Sequence, residues 1–377
     1  MMTKKLFLLL NFILVAFMIS ACGNDESVAQ ASPDETADTC TPDPNCIIVY
    51  TAQGEEDYLR HLQLFQQQFP HIKVQVERAS TGIISDRILA EKISPRADVI
   101  WALATTSLLR AAAEGILEPY APQGLFHPND TPRVHPRARH DADPPLFVGI
   151  DIFMSAFCVN TELLAQKGLP VPASWADLTN PIYKDQIIMP DPGSSGTGFI
   201  AVAAYLEIFG QEDEKNGWHY LDALHQNIVL YTRSGSEPCK LAGEGQIPIG
   251  ISFGKRGIDL RDAGRPVVTV FPQEGSGWEL EANALVRKNS IKNSAKTFLD
   301  WAISDSAMQS YAHIFPLTSV ETDVPIPEGY APKRFEHLLR WSFFELTANH
   351  DRIIEEWTNR YGEKSELVGA ELPQILQ

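Results

Sequence analysis

The chain has 377 residues and a formal net charge of −17, and 44% of its residues are hydrophobic. This length and apolar fraction are sufficient for two globular domains with cores of their own. The acidic charge argues against nucleic acid and anionic membranes as partners. An anionic ligand would have to be held by local N–H and hydroxyl groups, because the acidic body does not attract it over long range.

The N-terminal residues are typical of an exported lipoprotein. Two lysines precede an apolar run at residues 6–19, and a lipobox ends at Cys22. The run is short for a membrane span. We expect residues 1–21 to be a signal peptide, and residues 22–45, which are rich in Ser, Thr, Asp, Glu and Pro, to be a flexible tether. The protein would then be periplasmic or at the cell surface, and anchored to a membrane through the lipid on Cys22.

Four cysteines remain beside Cys22, an even number that suits disulfide bonds in an oxidising compartment. Cys40 and Cys46 are near neighbours that can close a small loop where the tether meets the first strand. This leaves Cys158 and Cys239 as the expected second bridge. Metal binding is the alternative, but no CxxC spacing or histidine pair accompanies them, so we predict neither a metal nor a cofactor.

Strands and helices alternate in the first part of the folded chain. Short apolar runs predict strands, and apolar residues three and four apart predict the helices between them, at residues 46–52, 58–69, 73–78, 83–92, 97–102 and 107–115. This alternation indicates an α/β fold with a doubly wound parallel sheet, whose ligand edge lies at the C-terminal ends of the strands. Thr51, Trp101 and the pair Ser80 and Thr81 lie at such ends.

Two long strand-like runs are candidates for crossovers between lobes. The first, residues 147–160, contains one acidic residue, Asp151, which is either a hinge or cap residue or a carboxylate aimed into a cleft. The second, residues 275–286, contains Trp278 and Glu281 as further candidates for the cleft.

Two crossings between two α/β lobes define the geometry of a clamshell that closes on a ligand. The boundaries predicted from these runs assign residues 46–150 and 283–377 to lobe 1 and residues 151–282 to lobe 2. We expect a two-lobe clamshell, each lobe a doubly wound sheet, and a monomer.

A Gly/Ser/Thr cluster at residues 193–198 connects a predicted strand to a predicted helix. Free N–H groups of a first helical turn, the positive end of the helix dipole and short hydroxyls together favour a small oxyanion. An ordinary capped loop is the alternative. A similar turn, residues 232–236, follows a strand that ends near Tyr231.

The sequence gives less support to an enzymatic function than to ligand binding. The cluster is neither a Walker loop nor a nucleophile elbow, and no histidine lies in or near the hydroxyl turns to serve as a base for a hydrolase. We therefore predict a binding protein without catalytic residues.

Several segments that run in order through the chain carry a family pattern: residues 49–52, 80–82, 97–101, 172–178, 189–199, 231–236, 248–253 and 277–282. In these segments the chain resembles the periplasmic substrate-binding components of ABC transporters, and among them the 2-aminoethylphosphonate-binding proteins. The wider group includes iron(III)- and polyamine-type binding proteins. One segment departs from the pattern, because Gly254, Lys255 and Arg256 stand where relatives carry an acidic residue and an aromatic one.

The resemblance implies a two-lobe fold, no catalysis, and a permease with its ATPase as partners. For a zwitterionic phosphonate it implies a phosphonate site made of Ser194, Ser195, Gly196, Thr197 and Gly198, with Thr51, Ser80 and Thr81 from the opposite lobe. Asp151 or Glu281 would pair with the ammonium group, and Trp101, Trp278 or Tyr231 would add cation–π contact. Iron(III), phosphate and another phosphonate are the rival ligands.

Overall fold

A computed structural model describes residue 40 and residues 43–330 and 334–369 of the chain. The predicted signal peptide, the lipidation site at Cys22 and most of the predicted tether lie outside the described residues. The described residues belong to one compact unit. Among them, no helix has the length and apolar character needed to cross a membrane.

Strands and helices alternate along most of the described chain, as the apolar periodicity predicts. The strands are β1 (Cys46–Thr51), β2 (Lys73–Arg78), β3 (Val99–Ala104), β4 (Leu117–Glu118), β5 (Val148–Asn160), β6 (Ile187–Pro190), β7 (Ile228–Thr232), β8 (Ile249–Phe253), β9 (Val267–Val270), β10 (Trp278–Val286) and β11 (Leu317–Thr318). The α-helices are α1 (Glu55–Gln68), α2 (Thr81–Ala90), α3 (Thr105–Ala113), α4 (Thr161–Lys167), α5 (Gly196–Phe209), α6 (Glu214–His225), α7 (Glu237–Gly243), α8 (Gly254–Asp262), α9 (Asn293–Ala302), α10 (Asp305–Ala312) and α11 (Phe343–Tyr361).

The first lobe is built on the strand order β2-β1-β3-β10-β5. Strands β1, β2 and β3 are parallel to one another, whereas β10 is antiparallel to both β3 and β5. All side chains of β1 and β3 are buried, which explains their continuous apolar sequence. Because β1 and β2 are parallel, their C-terminal ends lie at the same edge of the sheet.

The second lobe is built on the strand order β5-β8-β6-β7, with β9 also paired to β5. Strand β5 belongs to both lobes: its first half pairs with β10, and its second half, from Ser155 onward, pairs with β8 and β9. The chain returns from β9 to the first lobe at β10. These two connections correspond to the two strand-like runs that predict the crossovers.

The C-terminal helix α11 connects the lobes a third time. Its N-terminal part contacts the first lobe, where Arg110 of α3 pairs with Asp351 at 3.1 Å. Its C-terminal part buries Trp357 and Tyr361 in the core of the second lobe, with the Trp357 ring centroid 4.7 Å from that of Tyr231. Assigning residues 283–377 wholly to lobe 1 misses this packing, because an amphipathic pattern shows that a helix has a buried face but not which core receives it.

Among the residues that the structure describes, two disulfide bonds are present, between Cys40 and Cys46 and between Cys158 and Cys239. The first joins the start of β1 to the preceding residues. The second joins β5 to α7 within the second lobe, 81 residues apart in sequence. The pairing is the one expected from the sequence.

Candidate functional site

A cleft between the lobes is lined by polar side chains from both. Hydroxyl groups and ionisable groups line it together with an apolar wall of Phe153, Phe253, Ile314 and Phe315. The hydroxyl-bearing residues are Ser80 and Thr81 from the first lobe and Ser195, Thr197, Ser234 and Ser236 from the second. The ionisable ones are Asp57, Arg78, Arg256 and Glu281.

The segment between β6 and α5 is organised by a single carboxylate. Asp191 Oδ1 accepts hydrogen bonds from the backbone N–H groups of Gly193, at 2.7 Å, and Ser194, at 3.2 Å. This Asx turn leads into α5, whose N-cap is Ser195: its Oγ accepts from Gly198 N at 3.4 Å. The predicted strand, hydroxyl turn and helix are thus all present.

Of the five residues predicted for the phosphonate in this segment, two reach the cleft lining, Ser195 and Thr197. The Ser194 hydroxyl turns away and donates to the carbonyl of Arg233 at 3.2 Å. Gly196 packs against Thr81, and a Cβ on Gly198 would clash with the backbone of the preceding turn. These two glycines serve close packing in this structure.

Two residues near the C-terminus support the loops that carry the cleft hydroxyls. Ser365 Oγ donates to Asp191 Oδ2 at 2.6 Å, which fixes the carboxylate that organises the Asx turn. Glu366 Oε2 accepts from the backbone N–H of Arg233 at 2.8 Å, at the start of the loop with Ser234 and Ser236. These residues are absent from the predicted site, because no local motif in the sequence marks them.

On the first lobe, the hydroxyl turn at the end of β2 faces the cleft through Ser80 and Thr81. Ser80 is the N-cap residue of α2, and Thr81 is its first helical residue. Thr51 is fully buried instead, and its Oγ1 accepts from the backbone N–H of Gln53 at 3.2 Å. It therefore shapes the turn at Gln53 and Gly54, both of which line the cleft.

The lobes touch directly beside the cleft. The backbone N–H of Gly82 donates to the carbonyl of Ser194 at 3.0 Å, across the two lobes. A Cβ on Gly82 would lie 2.0 Å from the carbonyl oxygen of Gly193. This distance is far below van der Waals contact, so the closed arrangement requires glycine at this position.

Replacing Gly82 with alanine is therefore expected to prevent full closure. We expect ligand affinity to fall at least about tenfold, because the interlobe contact and its hydrogen bond are lost. Calorimetric titration measures the affinity, and small-angle scattering measures compaction on ligand addition. Asp86→Ala, on an exposed position of the same helix, is the control. Normal compaction and affinity in Gly82→Ala would contradict a role of this contact in closure.

Two carboxyl groups lie behind and within the cleft on the crossover strands. Asp151 of β5 and Glu281 of β10 are register partners in the antiparallel ladder. Asp151 is 1% exposed and lies behind the lining, whereas Glu281 lines the cleft. Among the described residues, no cation lies within ion-pair distance of either group. Burial raises the pKa of both carboxyls well above their usual range, and the charge of Asp151 raises the pKa of Glu281 further.

The three aromatic candidates for cation–π contact do not line the cleft. Trp101 is fully buried in the first-lobe core, where its Nε1 donates to Tyr311 Oη at 3.0 Å. Trp278 donates to the carbonyl of Leu339 at 2.8 Å. Tyr231 is buried, with its hydroxyl 3.0 Å from His225 Nδ1. The cation–π predictions therefore have no support from the geometry.

Two arginines in the lining were not predicted as ligand residues. Arg78 ends β2, and its Nε donates to the carbonyl of Gln53 at 3.0 Å. Arg256 lies in the first turn of α8, and its guanidinium lies 5.8 Å from the ring centroid of Phe253. The neighbouring Lys255 forms an ion pair with Asp259 within α8 and does not line the cleft.

The family model for bacterial extracellular solute-binding proteins matches residues 94–336 of the chain. A Haemophilus influenzae protein of uncharacterised function is 29% identical over 292 residues, which cover 76% of this chain and 82% of that protein. A Salmonella typhimurium protein named "Putative 2-aminoethylphosphonate-binding periplasmic protein" is 26% identical over 298 residues, with the same coverage.

Among solved structures, the periplasmic binding protein AfuA from Actinobacillus pleuropneumoniae, with exogenous fructose-6-phosphate bound, superposes with a TM-score of 0.75. It is 26% identical in sequence, and the match covers 84% of this chain and 98% of AfuA. This likeness confirms the two-lobe α/β fold predicted from the sequence. The chain belongs to the bacterial extracellular solute-binding protein family.

Proposed function

We propose that this protein captures a small phosphorus oxyanion bearing an ammonium group, with 2-aminoethylphosphonate as the specific candidate, and delivers it to an ABC permease and its ATPase. The protein is exported, works as a monomer outside the cytoplasm and is held at the membrane by a lipid on Cys22. Its activity is binding and release, without catalysis. The proposal is consistent with the names of the Salmonella relative and of a periplasmic ABC-transporter binding protein from Sinorhizobium fredii, which is 25% identical over 272 residues.

The observation that carries this proposal is that hydroxyl groups from both lobes and a carboxyl group line the same cleft. Hydroxyl groups from both lobes, Ser80, Thr81, Ser195 and Thr197 among them, suit a tetrahedral oxyanion. Glu281, backed by Asp151, offers a carboxyl group that lacks a protein cation among the described residues. An ammonium group on the ligand would supply the missing counter-charge.

A phosphate ester that carries hydroxyl groups is the second candidate. AfuA, which shares 26% of its sequence with this chain, holds fructose-6-phosphate. A carboxyl group in the position of Glu281 can hydrogen-bond to sugar hydroxyls as well as to an ammonium group. The hydroxyl groups of the cleft suit the phosphorus oxyanion of both candidates, so the group that the carboxyl binds decides between them.

A thermal-shift comparison tests the proposal. We expect 2-aminoethylphosphonate to raise the melting temperature of the purified protein far more than inorganic phosphate, ethylphosphonate or fructose-6-phosphate do. The reason is that a ligand bound only by the folded state stabilises it by about 2.7 kcal/mol at 100 times its Kd. A dominant response to fructose-6-phosphate would select the second candidate. Equal responses to the aminophosphonate and ethylphosphonate would remove the role of the ammonium group.

A further inference from the structure

Arg78 of the first lobe and Arg256 of the second lobe both approach the turn at Gln53 and Gly54. Arg78 Nε donates to the carbonyl of Gln53 at 3.0 Å. Arg256 extends from α8 of the second lobe, and its Nη2 lies 3.7 Å from the position that a Cβ on Gly54 would take. Both guanidinium groups line the cleft together with the hydroxyls of Ser80 and Ser195.

Neither guanidinium is neutralised by an ion pair in the part of the chain that the structure describes. There, Arg78 forms one hydrogen bond, to a backbone carbonyl, and no carboxylate lies within ion-pair distance of it. Arg256 Nε is buried and, within the same residues, has no hydrogen-bond acceptor. A buried donor without an acceptor is costly, so this arrangement favours an oxygen-rich ligand that supplies one.

From this geometry we infer that Arg78 and Arg256, one from each lobe, form a charge clamp that makes the cleft selective for dianionic over monoanionic oxyanions. The inference rests on the proposed function and specifies the ligand class further. Hydroxyls and backbone amides bind any tetrahedral oxyanion of suitable size, so they do not distinguish a phosphonate from a sulfonate. Two fixed positive charges do, because their attraction grows with the charge of the ligand.

The carboxyl groups of the cleft make this clamp necessary. Asp57 and Glu281 line the same cavity as the two arginines, and the positive charge of Arg256 opposes the rise in the pKa of Asp57 that burial causes. When these acids are ionised, they and the acidic body of the protein repel a dianion, and Arg78 and Arg256 offset that repulsion.

The test compares a phosphonate with the sulfonate of the same shape. At about pH 8 the phosphonate group of 2-aminoethylphosphonate carries close to two negative charges, whereas the sulfonate group of 2-aminoethanesulfonate carries one. We expect the wild-type protein to prefer the phosphonate by at least about 100-fold, by calorimetric titration. Arg78→Gln and Arg256→Gln should each lower this ratio at least about tenfold, and Arg78→Lys and Arg256→Lys should retain more of it. Arg261→Gln, on the same helix as Arg256 and paired with Asp262, should leave the ratio unchanged.

The ratio of the affinities for the phosphonate and the sulfonate distinguishes loss of the charge clamp from general damage to the site. If each glutamine variant loses affinity for both ligands by the same factor, the affinity ratio is unchanged. The proposed charge clamp is then wrong, although the proposed function stands. If the protein binds fructose-6-phosphate and not the aminophosphonate, the same comparison is made with fructose-6-sulfate. If the wild type binds none of these phosphorus compounds, the proposed function and the clamp both fail. Melting curves of each ligand-free variant show whether the protein remains folded.

Discussion

Replacing Ser195 and Thr197 together with alanine is expected to lower ligand affinity at least about 100-fold while the protein remains folded. Both hydroxyls line the cleft at the first turn of α5. A hydrogen bond to a charged group contributes about 1.5–3 kcal/mol, so two lost bonds correspond to a factor of about 100 or more. Calorimetric titration with 2-aminoethylphosphonate measures this loss, and a melting curve reports the stability of the ligand-free variant.

A neighbouring serine provides the matched control. Ser194 precedes the same helix, but its hydroxyl donates to the carbonyl of Arg233 and does not line the cleft. We expect Ser194→Ala to retain most of the affinity, and Ser195→Thr with Thr197→Ser to retain more than the double alanine variant. Unchanged affinity in the double alanine variant would show that the start of α5 is not where the oxyanion binds.

The affinity of the wild-type protein for an ammonium-bearing ligand is expected to rise with pH. In the ligand-free cleft the pKa of Glu281 is raised by burial and by Asp151, so its carboxyl group keeps a proton to a higher pH than an ordinary glutamate does. An ammonium group binds the ionised carboxylate, so binding releases this proton. Affinity should increase by up to about tenfold per pH unit below the raised pKa, and level off above it.

Glu281→Gln isolates this effect from the other titrating groups. The variant retains the other charged groups near this position, which are Asp57 of α1, Asp151 of β5, Glu279 of β10 and Arg256 of α8. The ionisation of the phosphonate itself is also unchanged. We expect the variant to lose at least about tenfold in affinity for 2-aminoethylphosphonate at about pH 8 and to show a weaker pH dependence. Equal pH dependence in both proteins would mean that Glu281 does not bind the ammonium group.

The pH dependence of the stability of the ligand-free protein is a second measurement, and its expected direction follows from the raised pKa of Glu281. A carboxyl with a raised pKa in the folded state is protonated there while it is ionised in the unfolded chain. Its contribution to the free energy of unfolding is therefore lost as pH rises from the unfolded-state pKa toward the folded-state pKa. We expect the melting temperature of the wild type to fall more steeply over that range than that of Glu281→Gln, which lacks the titrating group.

The hydroxyl turns were predictable because each is a local pattern with a local cause. A strand followed by Ser, Thr and Gly before an apolar helical run predicts a cap, and parallel strands bring such caps to one edge of a sheet. Ser80, Thr81, Ser195 and Thr197 accordingly lie together in the cleft. Which hydroxyl faces the ligand was not predictable, since Ser194 and Ser195 are adjacent in sequence and point in different directions.

The aromatic residues show that a predicted position near the end of a strand is not sufficient to predict contact with the ligand. Tyr231 is next to last in β7, but β3 continues three residues beyond Trp101, to Ala104, so Trp101 is not at the strand end that the sequence predicts. Both side chains are buried in the lobe cores. Successive side chains of a strand point to opposite faces of the sheet. Proximity to the ligand edge therefore does not place a ring in the cleft, and packing of the helices on each face decides the outcome.

Local sequence alone was sufficient for the alternation of strands and helices, the crossover strands, the hydroxyl caps and the pairing of the cysteines, because each depends on residues close in the chain or on simple counting. The pairing of Asp151 with Glu281 depends on the register of two strands 130 residues apart. The approach of Arg78 and Arg256 depends on how the two lobes meet. Charges in this cleft are set by contacts between distant segments, and no local pattern in a sequence encodes them.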